Sequence, residues 1–440
     1  MDEPKARIVE ARRDQVEMQV VDLESLLPPE HQARMVWAFV QGLDLGPLYA
    51  GIKAVESHPG RPASDPRVFM ALWLYATLDG VGSARAVARL CAEHHAYRWI
   101  RGGVEVNYHT LSDFRVAHVK FLDELLTRSV AALMMKGSVT LNRVAQDGVR
   151  VRANAGSGSF RRRKTLERFM AQAEEQVRHL REELQEDPAA ASRREQSARE
   201  RAAQEREQRV TRALAEMQHI EVERAARDAK GRKRKGRPRK GGGGPPAKQS
   251  EPRVSITDPQ ARVMKGADGG FRPSYNVQFS TDTASQIIVG VETTNQAADW
   301  DQLPPMLEQL RTRYGLCPPQ ALVDGGFTRF QSIEAATHKG SEIYAPVPTH
   351  KRSKLDPHQP HPKDSPVIAA WRQRMATREA KAIYKQRAAT AECVNALARN
   401  RGLRQFLVRG TEKVRAVVLW HALAHNLLRM TRPLAQPLPA

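Results

Sequence analysis

Cysteine is scarce in this chain: three in 440 residues. Cys91, Cys317 and Cys393 lie far apart and make no C-x-x-C pair. That excludes a disulfide framework and a zinc knuckle, and it fits a reducing cytoplasm. Long apolar runs are missing too. No stretch reaches the roughly 18 residues that a bilayer-spanning helix needs. The opening Met1-Asp2-Glu3-Pro4 has an acid and a proline where a secretory signal would carry basic and apolar residues. Acid is in deficit: 49 Asp and Glu stand against 70 Lys and Arg, a net charge of +21. Such a surplus favours a polyanion as partner, either nucleic acid or an anionic membrane surface. The length allows roughly two to four domains with ample buried core.

Along the chain, residues 1–136 read as one all-helical unit. Val36–Val40 suggests a short helix, and Gly60-Arg61-Pro62 a turn. Ser64-Asp65-Pro66 supplies a polar cap and a proline for a first turn, with Phe69, Leu72, Trp73 and Ala76 on the apolar face. Asp79-Gly80-Val81-Gly82 ends that helix, and Ser83 caps a second one through about His94. Two helices joined by a Gly-containing turn resemble a helix-turn-helix, with Arg85 and Arg89 on one face of the second. The alternative is an ordinary helical hairpin with solvated arginines. A third helix is expected from Thr110 to Met135. Val139–Ala145 then reads as a strand closing on Asp147-Gly148. A flexible basic loop follows, holding Arg161, Arg162, Arg163 and Lys164.

Leu166, Met170, Ala173, Val177, Leu180 and Leu184 alternate four and three apart, a heptad seam. Asp187-Pro188 breaks it, and a second charged helix runs to about Arg227. An antiparallel hairpin over 161–228 is expected, with intermolecular pairing as the alternative. Residues 229–252 form a linker. Within it Arg232, Lys233, Arg234 and Lys235 precede four glycines and two prolines. No core forms from such a sequence, and its charge suits phosphates. From 253 to 432 the α/β character returns, with residues 137–160 as the other part of the same domain and 433–440 as a tail. Tyr275–Phe279 and Gln286–Val291 read as paired strands. A helix over Asp299–Tyr314, a strand over Ala321–Asp324, a strand over Ile343–Ala345 and helices over 377–398 and 414–430 follow. This order gives an α/β fold: a mixed sheet with helices packed on it.

Two acids stand out. Ala321-Leu322-Val323-Asp324-Gly325-Gly326-Phe327 is a short buried strand ending in a carboxylate before a glycine turn, and Val144-Ala145-Gln146-Asp147-Gly148 repeats the pattern. Each glycine is expected to let the backbone turn away and leave the carboxylate exposed. If the strands are neighbours, Asp147 and Asp324 converge. The plainer reading of Asp324 is a cap for a helix near Thr328. Glu392 is the preferred third acid, with Tyr384 and Arg387 on a helical face nearby. Three bare carboxylates together would repel and take up protons. Bound Mg²⁺ removes that conflict, and two such ions clamp the oxygens of an in-line phosphoryl transfer.

The pairing of Asp147-Gly148 with Asp324-Gly325-Gly326-Phe327, and Tyr384-x-x-Arg387 leading to Glu392, resembles bacterial insertion-sequence DDE transposases. Residues 60–115, with Thr110-Leu111-Ser112-Asp113-Phe114-Arg115, are similar to the helical DNA-binding domain placed in front in that family. The resemblance covers most of the chain apart from 160–250. It implies an RNase H-like fold, with Asp147, Asp324 and Glu392 as catalytic metal ligands for Mg²⁺, or Mn²⁺ in its place. It implies binding of double-stranded DNA, cleavage at transposon ends, strand transfer into a target and assembly as a homo-oligomer on DNA. It places the protein in the cytoplasm at the nucleoid, with no membrane partner. Where related sequences carry Lys about seven residues after the Glu, this chain has Arg399, which keeps the charge and changes the contact geometry.

Rival readings concern other acids and histidines. Glu412 suits the N-terminus of the last helix. Asp299 and Asp301 suit a helix cap, with Asp299 able to approach the site. His421 and His425 are four apart, a zinc-compatible spacing, but lack the glutamate of H-E-x-x-H and read as core. His350, His358 and His361 give no ligand framework. The competing functions are a non-catalytic DNA-binding regulator and a related nuclease without strand transfer.

Overall fold

Asp65 and Pro66 start the helix around which the N-terminal part is built. The Asp65 side chain accepts from Arg67 N at 2.8 Å, and Pro66 occupies the first turn. Such a cap contributes about 1 kcal/mol. The computed structural model describes residues 22–52, 62–186, 193–229, 251–349 and 356–431, with Met18, Val20 and Ala54 besides. The helical part comprises α1 (Gln32–Gln41), α2 (Gly46–Tyr49), α3 (Pro66–Leu78), α4 (Ala84–Glu93), α5 (His95–Arg101), α6 (Tyr108–Ala117) and α7 (Val119–Met135). Helix α3 is enclosed on nearly every side, from Pro66 to Thr77. Trp73 Nε1 donates to the Leu111 carbonyl at 2.9 Å.

Burial of α3 extends well beyond the apolar face of Phe69, Leu72, Trp73 and Ala76 expected from the sequence. Helix α4 packs mainly on α5 and α6. The single helix expected over Thr110–Met135 is two helices, broken at His118 (φ −113°, ψ 39°). The His118 ring lies 4.8 Å from Phe114 across the break. Gly60 and Arg61 of the expected turn lie outside the described residues.

The remaining elements are β1 (Arg143–Arg152), β2 (Phe160–Arg161), α8 (Arg163–Glu186), α9 (Arg193–Ala229), β3 (Val254–Ser255), β4 (Arg262–Lys265), β5 (Phe271–Asp282), β6 (Ile288–Thr294), α10 (Leu303–Tyr314), β7 (Gln320–Leu322), α11 (Phe330–His338), β8 (Glu342–Tyr344), α12 (Pro366–Ala376), α13 (Arg378–Arg387), α14 (Cys393–Asn400) and α15 (Thr411–Thr431). The main sheet has the order β4-β5-β1-β7-β8, with β6 also on β5. Strands β1, β5 and β6 pair antiparallel. Strands β7 and β8 run parallel to β1, each reached through a helix. The sheet is therefore mixed, as the alternation of strands and helices implies.

β6 lies at an edge, and two helix amides occupy its open backbone groups. Gln309 of α10 exchanges both hydrogen bonds with Val291, each at 3.0 Å, and Asn426 of α15 does the same with Ile288 at 2.8 Å. A covered edge offers no template for a foreign strand. Helices α8 and α9 pair along their seams, with Arg163 bound to Glu221 and Thr211 beside Met170. Their small core of Leu166, Ala213, Met217 and Val254 is separate from the main one. Glu216 of α9 joins Arg262 of β4. The break at Asp187-Pro188, the basic run Lys230–Lys240 and the 433–440 tail lie outside the described residues. No helix among the described residues is long and apolar enough to cross a membrane.

Candidate active site

Asp147 stands in the middle of β1, opposite Phe279 of β5. On the other side of β1, Ala145 is level with Leu322, the last residue of β7. Asp324 comes two residues after Leu322, as Asp147 comes two after Ala145. Two neighbouring parallel strands thus bring the two acids to one level of the sheet. The expected convergence rests on this register.

The glycines work differently from the expectation. β1 does not end at Asp147; it continues in regular register to Arg152. Gly148 is not a turn residue. A Cβ there would lie 2.4 Å from Asp299 Oδ1 and 2.4 Å from Gln278 Nε2. Its bare backbone makes room for Asp299 on the face of the sheet opposite Asp147. Gly325 and Gly326 do not adopt positive φ. They begin a short 3₁₀ turn, Gly325–Phe327, whose cap is Asp324: its Oδ1 accepts from Gly326 N at 2.8 Å. A Cβ at Gly326 would lie 2.9 Å from that oxygen and 3.7 Å from Asp299 Oδ2. The capping role and the site role of Asp324 are therefore compatible, and the missing side chain leaves space between two carboxylates.

Glu392 ends a π-helical turn, Ala388–Glu392, set between α13 and α14. In an α-helix, residues five apart point about 140° away from one another. The wider π turn brings them onto one face, and such turns recur at functional sites. Arg387 Nη2 accordingly donates to Glu392 Oε1 at 2.6 Å. The same guanidinium places Nη1 at 3.7 Å from Asp147 Oδ2 and lies 5.9 Å from the Tyr384 ring centroid. Arg387 stands between the first and third acids. Burial raises the Tyr384 hydroxyl above its usual range, with Asp324 and Glu392 adding to the shift against Arg387.

Burial also lifts the Asp147 carboxyl to about 6. Arg387 opposes the shift, and the nearby Asp324 and Asp299 reinforce it. Asp147 accepts from its own Gly148 N at 2.9 Å and from Asn395 Nδ2 at 3.1 Å. Asn395 is 2% exposed, and its Oδ1 meets no donor among the described residues. The sequence reading missed Asn395. A weak signal existed, since it lies three residues after Glu392 and so shares a helical face with it.

Asp299 is buried and fully engaged. Asn276 and Gln278 each donate to its Oδ1 at 2.7 Å, and Arg150 to its Oδ2 at 2.6 Å. It does not cap α10, whose N-cap is Gln302, and neither does Asp301, which binds Arg329 at 2.7 Å and 2.8 Å. Glu412 lies in the first turn of α15. His421 and His425 are buried on α15, with His425 Nε2 2.9 Å from the Gln286 carbonyl. His350 lies outside the described residues. Among the described residues, no three His, Cys, Asp or Glu side chains stand as a group that could hold a metal ion. The three acids do not meet as a bare triad, because Glu392, 55% exposed, turns to Arg387.

Of the basic candidates, Arg85 and Arg89 are exposed on α4; Arg85 lies over the Tyr108 ring and Arg89 is 3.5 Å from Glu93. Residues 157–164 are not the flexible loop expected. A 3₁₀ turn and β2 form there, and Ser159 is bonded to Ser255. Arg161 binds the Gly158 carbonyl, Arg162 Glu251 and Arg163 Glu221, while Lys164 is exposed. Arg399 borders a groove beside β1 with Arg150, Arg152, Lys265 and Arg404. Arg232, Lys233, Arg234 and Lys235 lie outside the described residues.

Two family models match this chain. The model described as Transposase DDE domain matches residues 357–431, which carry Arg387, Glu392 and Asn395. The model described as Transposase domain (DUF772) matches residues 21–117, the helices α1 to α6. No curated protein and no solved structure gives a match. A helical transposase domain thus precedes a DDE domain in this chain. Together the two matches support an insertion-sequence DDE transposase.

Proposed function

We propose that Asp147, Asp324 and Glu392 form the catalytic centre of a metal-dependent DNA strand cleavage and strand-transfer reaction at transposon ends. The observation that carries the reading is the shared level of Asp147 and Asp324 on neighbouring parallel strands, with Arg387 and Glu392 above them. The strand order β6-β5-β1-β7-β8, antiparallel in the first three and parallel in the last two, supports an RNase H-like catalytic domain. In this reading residues 1–136 bind DNA, residues 161–228 are an insertion, and 137–160 with 253–432 make up the catalytic domain.

The donor set suits Mg²⁺ or Mn²⁺, because it offers hard carboxylate oxygens only. Asp147 is a buried carboxyl raised to about 6 in spite of Arg387, and its ionised form gains from a cation. Asp147 and Asp324 would hold the ion, and Glu392 would join once it leaves Arg387. When bound, divalent cations stabilise charge on the attacking and leaving oxygens of phosphoryl transfer. Asn395 fixes the orientation of the Asp147 carboxylate. Arg387, released from Glu392, is free to hold a DNA phosphate, with the Arg399 groove continuing that contact. Assembly as a homo-oligomer on DNA in the cytoplasm belongs to the same proposal.

The test is cleavage of DNA bearing the element's ends in Mg²⁺ or Mn²⁺. Asp147→Asn, Asp324→Asn and Glu392→Gln are each expected to lower cutting by at least about 100-fold, with end binding retained. Normal cutting by all three would refute the assignment. Salt-sensitive binding without cutting by the unaltered protein would favour a DNA-binding regulator. Cutting without joining would favour a nuclease.

A further inference from the structure

Among the described residues no carboxylate pairs with Arg115, a buried cation. It is 8% exposed, at the end of α6. Its guanidinium lies over Trp73 at 4.7 Å and bonds the Gly82 carbonyl. Its Nε meets no acceptor among the described residues. Burying an ion without a counter-charge is costly even after relaxation, and a cation–π contact returns part of that cost. Burial pushes the Arg115 guanidinium down to about 10, which still leaves it charged at neutral pH.

Arg115 borders a cavity of about 230 Å³ between the N-terminal helices and the segment that joins α14 to α15. Thr77 and Gly82 form one side of it. The other comes from the segment after α14, with Arg401 and Arg404, and from His421 of α15. No Asp or Glu lines it. His421 is buried, and its Nδ1 also lacks a protein partner among the described residues. Burial, then Arg115 and Arg401, hold the His421 ring at about 3, so it is neutral and offers a ring nitrogen as donor or acceptor. Three arginines and a neutral, buried histidine thus border one acid-free space, and Arg404 is held there by its Nε donating to the Arg399 carbonyl at 3.1 Å.

We propose that this cavity is a binding site for a phosphate-type oxyanion, held by Arg115, Arg404 and His421 and separate from the catalytic carboxylates. A tetrahedral oxyanion carries charge and acceptors for both guanidinium forks and for a His421 N–H. Occupancy ties the helical part to the segment that continues from α14, and so to the helix bearing Asn395. The ligand is either a free oxyanion or a backbone phosphate of bound DNA.

The test is thermal unfolding of the full chain against inorganic phosphate at constant ionic strength, with chloride as reference. The unaltered protein is expected to rise saturably by about 2–4 °C. Arg404→Ala, an exposed change at the rim, is expected to need about tenfold more phosphate for the same rise, one 1.4 kcal/mol step. Arg115→Gln is expected to abolish it where the variant folds. Lys120→Ala, at an exposed site that does not line the cavity, is expected to leave it intact. A rise that never saturates, or that Arg404→Ala leaves unchanged, overturns the proposal. A short duplex distinguishes the sources: if saturating duplex abolishes the further rise with phosphate, the ligand is DNA backbone; if the phosphate rise persists undiminished on top of the duplex effect, it is the free anion.

Discussion

At Asp147 two demands compete. The carboxylate must be buried enough to stay fixed and polar enough to stay useful. Asn395 answers the first demand, donating to Oδ2 from a nearly closed position. Loss of a side chain that orients a metal-binding carboxylate typically costs 10–100-fold in activity or metal affinity. Asn395→Ala is therefore expected to lower cleavage by about 10-fold or more, partly recovered at higher Mg²⁺, as a metal titration of the cutting rate will read. Unchanged rates at every Mg²⁺ level would remove Asn395 from the site. Gly326 sets a second constraint. A methyl there would come 2.9 Å from Asp324 Oδ1 and displace it. The position is exposed with ordinary φ, so Gly326→Ala is expected to fold with a melting point near that of the unaltered chain. A displacement near 1 Å costs on the order of 100-fold, and a cleavage assay should show a loss of that order. The two acids were legible in the sequence, because apolar run, Asp and Gly signal a strand near a turn. The reason for the glycines was not. It depends on Asp299, which reaches Gly148 from 151 positions away and so leaves no local trace.

At the scale of elements, the segment 377–398 shows how far a helical pattern carries. Helical residues were legible over that span, yet the π turn at Ala388–Glu392 was not, since no residue type encodes it. Without that turn, Arg387 and Glu392 would not share a face. The break at His118 escaped for a similar reason: neither Gly nor Pro marks it. The final helix was easier to read, because α15 is apolar over most of its length. Its burial has a pH consequence at His425. Burial, with Arg401 and Arg429, holds that ring at about 4, although the Gln286 carbonyl pulls the other way. A depressed histidine contributes stability that is complete above its unfolded value of 6.5 and is lost as pH falls toward its folded value. Between those limits the unfolded chain takes up a proton that the folded chain refuses. The penalty approaches about 3 kcal/mol at pH 4. His425→Gln keeps a donor for Gln286 and removes the titration. Urea midpoints at pH 7 and pH 4.5 should therefore fall less for the variant than for the unaltered protein. Equal falls would show that other groups dominate the acid response.

Across the whole molecule, the domain arithmetic of the sequence misleads in one respect. Residues 1–136 have the composition of a self-contained helical unit, but their core is continuous with that of the α/β part. Helix α15 packs on α3, α6 and α7 as well as on β6. Trp420 of α15 donates to the Arg115 carbonyl at 2.9 Å and lies 6.4 Å from the Phe114 ring. A single hydrophobic cluster runs from Leu27 through Trp73 and Val144 to Leu427. Pattern within a segment reveals which face is apolar and not which partner covers it, so this junction was hidden. The paired helices α8 and α9 differ, because their few buried residues form a cluster of their own. Elements that share a core open together, and those with few buried contacts open at lower free energy. Hydrogen exchange followed by peptide should then show α3 and α15 protected to the same degree and released in one step, with the α8–α9 pair exchanging first. Deleting residues 1–136 would uncover Trp420, and truncating a buried Trp alone costs about 3–5 kcal/mol. The shortened chain is expected to lose α15 protection and cooperative unfolding together. If α15 peptides in the full chain exchange freely while α3 stays protected, the shared core is not the cooperative unit, and the helical part is an independent domain after all.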